Sequence, residues 1–245
     1  HSRSHFFVKN NPTTGTNIRP TKEAFTETNR MDFQTYLNWK KTFAEDHNID
    51  VVAGYDYMKD KNNSIDARVQ GAASDKIPTL NVGTSNITNY PTSTRTDEVL
   101  ISYFGRVNYN FREKYLLSFT MRADGSSKFA AGNRWGYFPS VSAAWNISNE
   151  KFLSQNKVVS NLKLRASWGQ TGNNHVTEYA YRTQMYATEG SEYPFDNSNT
   201  TGNIIVNLGN RNLKWETTTQ WDAGVDLGLF RNRLTIAVDW YRKIT

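Results

Sequence analysis

The chain has 245 residues, 37% hydrophobic and 13% aromatic, with a net charge of +6 and no cysteine. The missing cysteines exclude a disulfide scaffold and a thiolate metal site, and no run of about 18 apolar residues offers a transmembrane helix. The positive charge is spread without a basic block, as on a solvated surface rather than a nucleic-acid footprint, and low mean hydropathy suits a soluble domain or a membrane β-barrel equally, since only alternate barrel residues meet lipid.

The first residues, HSRSHFFVKNN, lack a charged stretch followed by an apolar one, so an export signal is expected upstream if the protein is exported. No repeat of fixed wording appears. The first strand signal is Phe33, Thr35, Leu37, Trp39 and Phe43, alternating with Gln34, Tyr36, Asn38, Lys40 and Thr42. After the polar turn 45–48, Ile49, Val51, Ala53, Tyr55 and Tyr57 alternate with Asp50, Gly54 and Asp56. This is a hairpin with period two. The stretch from Asp60 to about Thr96 is rich in Asn, Ser, Thr, Asp and Lys and reads as a long excursion, with a helical turn near Ala72–Lys76.

The clearest pair follows. Ile101, Tyr103, Gly105, Val107, Tyr109 and Phe111 oppose Ser102, Phe104, Arg106, Asn108 and Asn110. Past Arg112-Glu113-Lys114, the pattern resumes with Tyr115, Leu117, Phe119, Met121 and Ala123 against Ser118, Thr120, Arg122 and Asp124, with Leu116 as an exception. Two long strands around a tight polar connection form a β-hairpin. Trp135, Tyr137, Val141, Ala143, Trp145 and Ile147 then oppose Gly136, Ser140, Ser142 and Asn146, and Ser148–Leu153 reads as a short helical turn. Leu162, Leu164, Ala166 and Trp168 oppose Lys163, Arg165, Ser167 and Gly169. A strand over Tyr179–Tyr186 leads to a second polar excursion, Thr188 to about Arg211. Finally Trp215, Trp221, Ala223, Val225, Leu227 and Leu229 oppose Glu216, Gln220, Asp222, Gly224 and Asp226, and beyond Arg231-Asn232 the residues Leu234, Ile236, Val238 and Trp240 oppose Arg233, Thr235, Asp239 and Tyr241.

The count is about nine strands. Several reach roughly 10–14 residues, against about 5–6 in soluble sheets. Ten residues tilted by about 45° rise roughly 23 Å, close to the roughly 25 Å apolar band of an outer-membrane barrel. Short turns alternate with long polar loops, and Trp and Tyr stand near strand ends as in an interfacial girdle. The expected fold is all-β, an antiparallel transmembrane β-barrel segment. The alternative is a soluble β-sandwich, such as a carbohydrate-binding module, with the same alternation and the apolar face inside.

Motifs of enzyme chemistry are weak. His1, His5, His47 and His175 have no ligand spacing. Asp222 and Asp226 share a strand face about 13 Å apart, beyond the roughly 5–9.5 Å of a glycosidase pair. Asp124–Ser127 reads as a turn in which Asp and Ser bond local backbone, and Gly169–Asn174 lacks the Lys-Ser/Thr of a phosphate loop. Asn86, Asn146 and Asn199 begin chance glycosylation sequons. The reading is therefore not an enzyme, with no cofactor.

Four stretches carry specific wording: RADGSSKF at Arg122–Phe129, WGYFPSVSAAWNIS at Trp135–Ser148, LKLRASWGQTGN at Leu162–Asn173 and LKWETT at Leu213–Thr218. In order and spacing they resemble the SusC/RagA-type TonB-dependent outer-membrane transporters of Bacteroidetes, over roughly Met31 to Thr245. Lys128 stands where the family commonly has Arg, and the charge is kept. The resemblance implies a plugged barrel of about 22 strands in the Gram-negative outer membrane. It implies import of an oligosaccharide or peptide, a SusD-like surface lipoprotein as partner, and coupling to TonB through a plug. The family's plug, TonB box and N-terminal domain are not recognisable in 1–245, so the chain is expected to be an internal part of the barrel domain. Its polar positions Arg106, Asn108, Arg122, Asp124, Lys163, Arg165, Asp222 and Asp226 are then expected to face the lumen, where charge biases passage. The loops carry no readable code for the ligand.

Overall fold

The computed structural model describes residues 2–7, 21–72, 76, 79–85, 91–153, 156, 158–195 and 198–245. Its strands are β1 (Ser2–Phe7), β2 (Thr21–Phe43), β3 (His47–Ala72), β4 (Gly83–Ser85), β5 (Thr92–Phe111), β6 (Tyr115–Ser126), β7 (Trp135–Asn146), β8 (Val159–Asn173), β9 (Gln184–Phe195), β10 (Ser198–Asn207), β11 (Glu216–Leu229) and β12 (Leu234–Ile244). One sheet has the order β1-β2-β3-β5-β6-β7-β8-β11-β12, with β4 beside β3; β9 and β10 form a separate hairpin. These neighbouring strands pair antiparallel, the arrangement that lets short turns join successive strands.

The chain divides into two compact units, 1–31 with 58–98, and 32–57 with 99–245. In the first, the expected excursion Asp60–Thr96 shrinks, because β3 continues to Ala72 and β5 already starts at Thr92. Polar residues on both faces hide a strand from a periodicity argument. Here the cross-strand partners are polar too. Arg30 grips Asp60 through two hydrogen bonds of 2.7 and 2.6 Å, Lys22 pairs with Asp66 at 2.6 Å, and Ser64 bonds Thr94. The helical turn expected near Ala72–Lys76 falls mostly outside the described residues.

The second unit holds the regular wall. Its register fixes the two faces, since residues opposite one another across an antiparallel pair share a face. One row reads Tyr115, Trp145, Leu164, Val225, Val238, and the next reads Leu117, Ala143, Ala166, Ala223, Trp240. The intervening row, on the other face, reads Leu116, Ala144, Arg165, Gly224, Asp239. So the period-two reading of these strands is the arrangement found. Of the nine predicted strands, eight stand in this sheet. The ninth, at Tyr179–Tyr186, shifts: residues 178–182 turn and β9 starts at Gln184. The excursion from Thr188 is itself the β9–β10 hairpin. The turn at Ser148–Leu153 is present, starting one residue early as a 3-10 turn at Ile147–Asn149 with Glu150 and Leu153 amides closing it.

The apolar face has no covering layer among the described residues. Leu117, Phe119 and Val141, mid-strand positions, are 50, 51 and 46% exposed. A β-sandwich would bury them against a second sheet, so the soluble alternative does not describe this wall. Three of the four fully buried residues, Phe129, Ser102 and Ser126, instead cluster around the RADGSSKF stretch; the fourth, Thr21, opens β2.

Candidate functional site

The wall is the candidate site, and its two faces have different chemistry. On the apolar face the aromatics form two rows. Toward the long loops, Phe33 lies 6.5 Å from Tyr55, Tyr55 5.3 Å from Tyr103, and Tyr103 stacks on Trp135 at 6.0 Å. Beside the short turns, His47 contacts Tyr109 and Phe111, Phe111 stacks on Tyr115 at 6.3 Å, and Tyr115 stacks on Trp145 at 6.2 Å. Tyr103 and Phe111 lie on one strand; their spacing is about 26 Å along it, or roughly 20 Å of height at a tilt of about 40°. Between the rows lie Val107, Leu117, Phe119, Val141, Ala143 and Ala166. Wholly apolar side chains between two belts rich in Tyr and Trp fit a lipid core flanked by two interfaces, where rings with a polar handle are favoured.

The short turns close one end. The three connections 44–46, 112–114 and 230–233 use left-handed backbone at Ala44, Glu45, Arg112, Glu113, Phe230, Arg231 and Asn232, with no glycine. Such non-glycine conformations are uncommon and need external support. Asp46 supplies it for Arg112, with side-chain bonds of 2.6 and 2.7 Å and a backbone bond of 2.9 Å. The Asn146 and Asn149 side-chain amides donate to the Glu113 carbonyl, and the Phe230 amide donates to Val158. Glu150 accepts from Lys114 Nζ at 2.8 Å, Tyr115 at 2.9 Å and the Trp145 indole at 3.3 Å.

The Lys114 bond, then those of Tyr115 and Trp145, hold the Glu150 carboxyl below its ordinary value of 4.5. A depressed folded-state value means the ionised form stabilises the native state at neutral pH, and this is lost as pH falls through the lowered value. Glu150→Gln in the full-length parent is therefore expected to lower the thermal midpoint at pH 7 and to leave little difference from wild type near pH 3. Equal midpoints at pH 7 would remove Glu150 from the stabilising set.

On the other face, register brings all eight sequence-predicted residues to one side. Arg106 donates to Thr120 at 3.3 Å, and Asn108 accepts from Ser118 at 2.7 Å. Arg165 grips Asp226 through two bonds of 2.8 Å and reaches Asp239 at 3.0 Å. Asp222 accepts from Ser167 at 3.1 Å and Gln220 at 2.8 Å, and Lys163 pairs in register with Asp226. Asn108, Lys163, Arg165 and Asp222 line a hollow of about 670 Å³, together with Lys40, Asp50 and Asp239, which pattern reading had placed on the polar side without singling out. Leu116, the exception in the alternation, lies on this hollow. Arg106, Arg122, Asp124 and Asp226 are not among its lining residues.

Arg122 and Asp124 differ from expectation. Asp124 was read as bonding turn backbone; it is 7% exposed and receives the Arg122 guanidinium at 2.9 Å, while Arg122 also donates to the buried Ser102 at 2.8 Å. β6 simply runs on through Ser126, which receives the amide of Lys128 as an Ser-type turn should. Phe129 is 0% exposed, 5.5 Å from Trp215, whose ring meets Phe138 edge-on at 5.4 Å. Trp215, expected in line with the apolar positions of β11, therefore belongs to this cluster instead, and its indole donates to the Arg134 carbonyl at 2.8 Å. Gly136 and Gly172 make room: a Cβ on Gly172 would lie 2.0 Å from the Phe138 ring. Among the described residues no group of His, Asp or Glu could hold a metal.

Against this geometry the comparisons with known proteins are decisive. A model of the TonB-dependent receptor-like β-barrel matches residues 1–244. The chain belongs to the TonB-dependent receptor β-barrel family. The TonB-dependent receptor P3 of Formosa agariphila is 36% identical over 211 residues, which is 85% of this chain and 20% of that protein. The TonB-dependent receptor SusC of Bacteroides thetaiotaomicron is 44% identical over 157 residues, 63% of this chain and 16% of that protein. The solved RagAB peptide transporter superposes with a TM-score of 0.83 at 29% identity, over 94% of this chain and 25% of that one. Within the TonB-dependent receptors this is thus a SusC/RagA-type sequence, and it is an outer-membrane β-barrel chain. It spans about a fifth of the length of these curated relatives.

Proposed function

We propose that the chain forms part of the barrel wall of an outer-membrane importer, which takes up an oligosaccharide or peptide by TonB-dependent active transport. One observation carries the reading: a wholly apolar band between two rows rich in Tyr and Trp backs directly onto a face of cross-linked charges around an open hollow. Lipid on one side and a wet passage on the other account for both faces of the same strands. The short turns then face the periplasm and the long connections the cell exterior. Arg106, Asn108, Arg122, Asp124, Lys163, Arg165, Asp222 and Asp226 face the lumen. There Arg165 is held between Asp226 and Asp239, so the lining presents neutralised pairs rather than free charges to a passing ligand or plug.

The partners belong to the same proposal. A SusD-like lipoprotein would hold ligand at the long-loop end, and TonB would act through a plug using the inner-membrane proton gradient; the names SusC and RagAB support this assembly. The test is uptake of labelled oligosaccharides and oligopeptides by cells with and without the full-length gene. Loss of uptake of one class on deletion, matched by a protonophore in wild type, is expected. Unchanged uptake of every member of the panel, or recovery of the parent in the soluble fraction, would overturn the reading.

A further inference from the structure

At the long-loop end three connections meet: 130–134 after β6, 179–183 after β8, and 208–213 before β11. They are fastened by backbone and amide groups. The Asn210 amide donates to the Ala180 carbonyl at 3.1 Å, the Gly209 amide to Thr183 Oγ1 at 3.2 Å, and Asn133 Nδ2 to the Arg211 carbonyl at 3.0 Å. The approach at Gly209 is so close that a Cβ there would lie 2.3 Å from the Arg182 backbone. The three segments enclose a hollow of about 820 Å³, within the range of small-ligand sites.

What this hollow presents is one-signed. Arg134, Arg182 and Arg211 line it, and no carboxylate does. Among the described residues none of the three guanidinium groups has an acidic partner. Four arginines elsewhere in the chain are by contrast held by aspartates: Arg30 by Asp60, Arg112 by Asp46, Arg122 by Asp124 and Arg165 by Asp226. Arg182 is braced by the Tyr181 hydroxyl at 3.1 Å and lies over the rings of Tyr179 and Tyr181. Arg134 Nε rests on the Phe129 carbonyl at 3.5 Å. Both are thus positioned with donor groups left over, and a guanidinium fork matches a planar oxyanion in two-point fashion. Three such cations in one recess raise the local concentration of anions.

We propose that this hollow is a binding site for an anionic ligand, whose carboxylate groups Arg134, Arg182 and Arg211 receive. The inference deepens the import reading, on which it rests for the direction of arrival, and narrows the imported class to oxyanion-bearing oligomers.

The full-length parent, purified in detergent, is titrated with tetragalacturonate, its neutral methyl ester, and tetraglutamate. The acids are expected to bind and the ester not, with affinity falling steeply as salt rises. The tighter acid tells whether sugar or peptide carries the charge. Arg134→Gln, Arg182→Gln and Arg211→Gln are each expected to weaken the tighter acid about tenfold, the loss of one charged hydrogen bond. All three side chains are exposed, so heat-modifiable gel migration should stay that of wild type. Equal binding of acid and ester, binding of neither acid, or wild-type affinity in all three variants would overturn the site. Arginine-dependent binding without any uptake defect on gene deletion would keep the site and overturn import; uptake that is lost on deletion yet indifferent to the three substitutions would do the reverse.

Discussion

Phe129→Ala in the full-length parent is expected to lower stability by about 3–5 kcal/mol, the usual cost of truncating a buried aromatic. Most of the wall has no core of its own: among the described residues its apolar face carries no covering layer. The exception is the knot where Phe129, Trp215 and Phe138 meet over Gly136 and Gly172. Phe129 is fully buried there, and its neighbours are held by bonds from Trp215 to the Arg134 carbonyl and from Arg122 to Asp124 and Ser102. A close-packed site fixed on several sides collapses poorly around a void, which puts the substitution in the upper part of the range. Phe129→Leu should cost less, since most of the volume remains. Urea titration of the folded parent in detergent, followed by tryptophan fluorescence and heat-modifiable migration, reads both. A loss under about 1 kcal/mol for Phe129→Ala would mean that the knot is not a stabilising core.

Ala166 and Ser167 are adjacent on β8 and face opposite ways, so the same substitution at each reports on the two sides of the wall. Ala166→Lys places an ammonium in the apolar band, at about 2–4 kcal/mol near the bilayer midplane. Ser167→Lys places it beside Asp222, which Ser167 already bonds at 3.1 Å, and is expected to stay within about 1 kcal/mol of wild type. Reversible folding of the parent into vesicles measures both. The assignment of faces is wrong if the order of the two costs is reversed.

The wall was legible because its two faces differ so much in polarity. Leu117 and Ser118, or Leu164 and Arg165, announce opposite faces residue by residue. Where both sides are wet the signal vanishes: Asp60–Ala72 reads as loop although it is strand, since Asn62 and Ser64 pair with Thr28 and Thr94 rather than with anything apolar. Parity predicts the shared face of the eight polar candidates, and Lys40, Asp50 and Asp239 have the same parity. Trp215 was misassigned because parity holds only inside a strand, and it stands one residue before β11 begins. The arginine hollow leaves no trace in the sequence. Its members come from three connections up to 77 positions apart (134 to 211), and only the folded chain gathers them. RADGSSKF was recognisable as wording, while its reason, burial of Ser102, Ser126 and Phe129 in one knot, is a property of packing.

The bonds that tie one short turn to the next have a mechanical meaning as well. Asp46 to Arg112, Glu113 to Asn146 and Asn149, Lys114 to Glu150, and Val158 to Phe230 run sideways from hairpin to hairpin, like the hoop at the foot of a cask. A pull on any single stave is passed along this rim as lateral tension instead of peeling one strand from its neighbour. Such a rim suits the import proposed above, in which a plug is pulled from the periplasmic side.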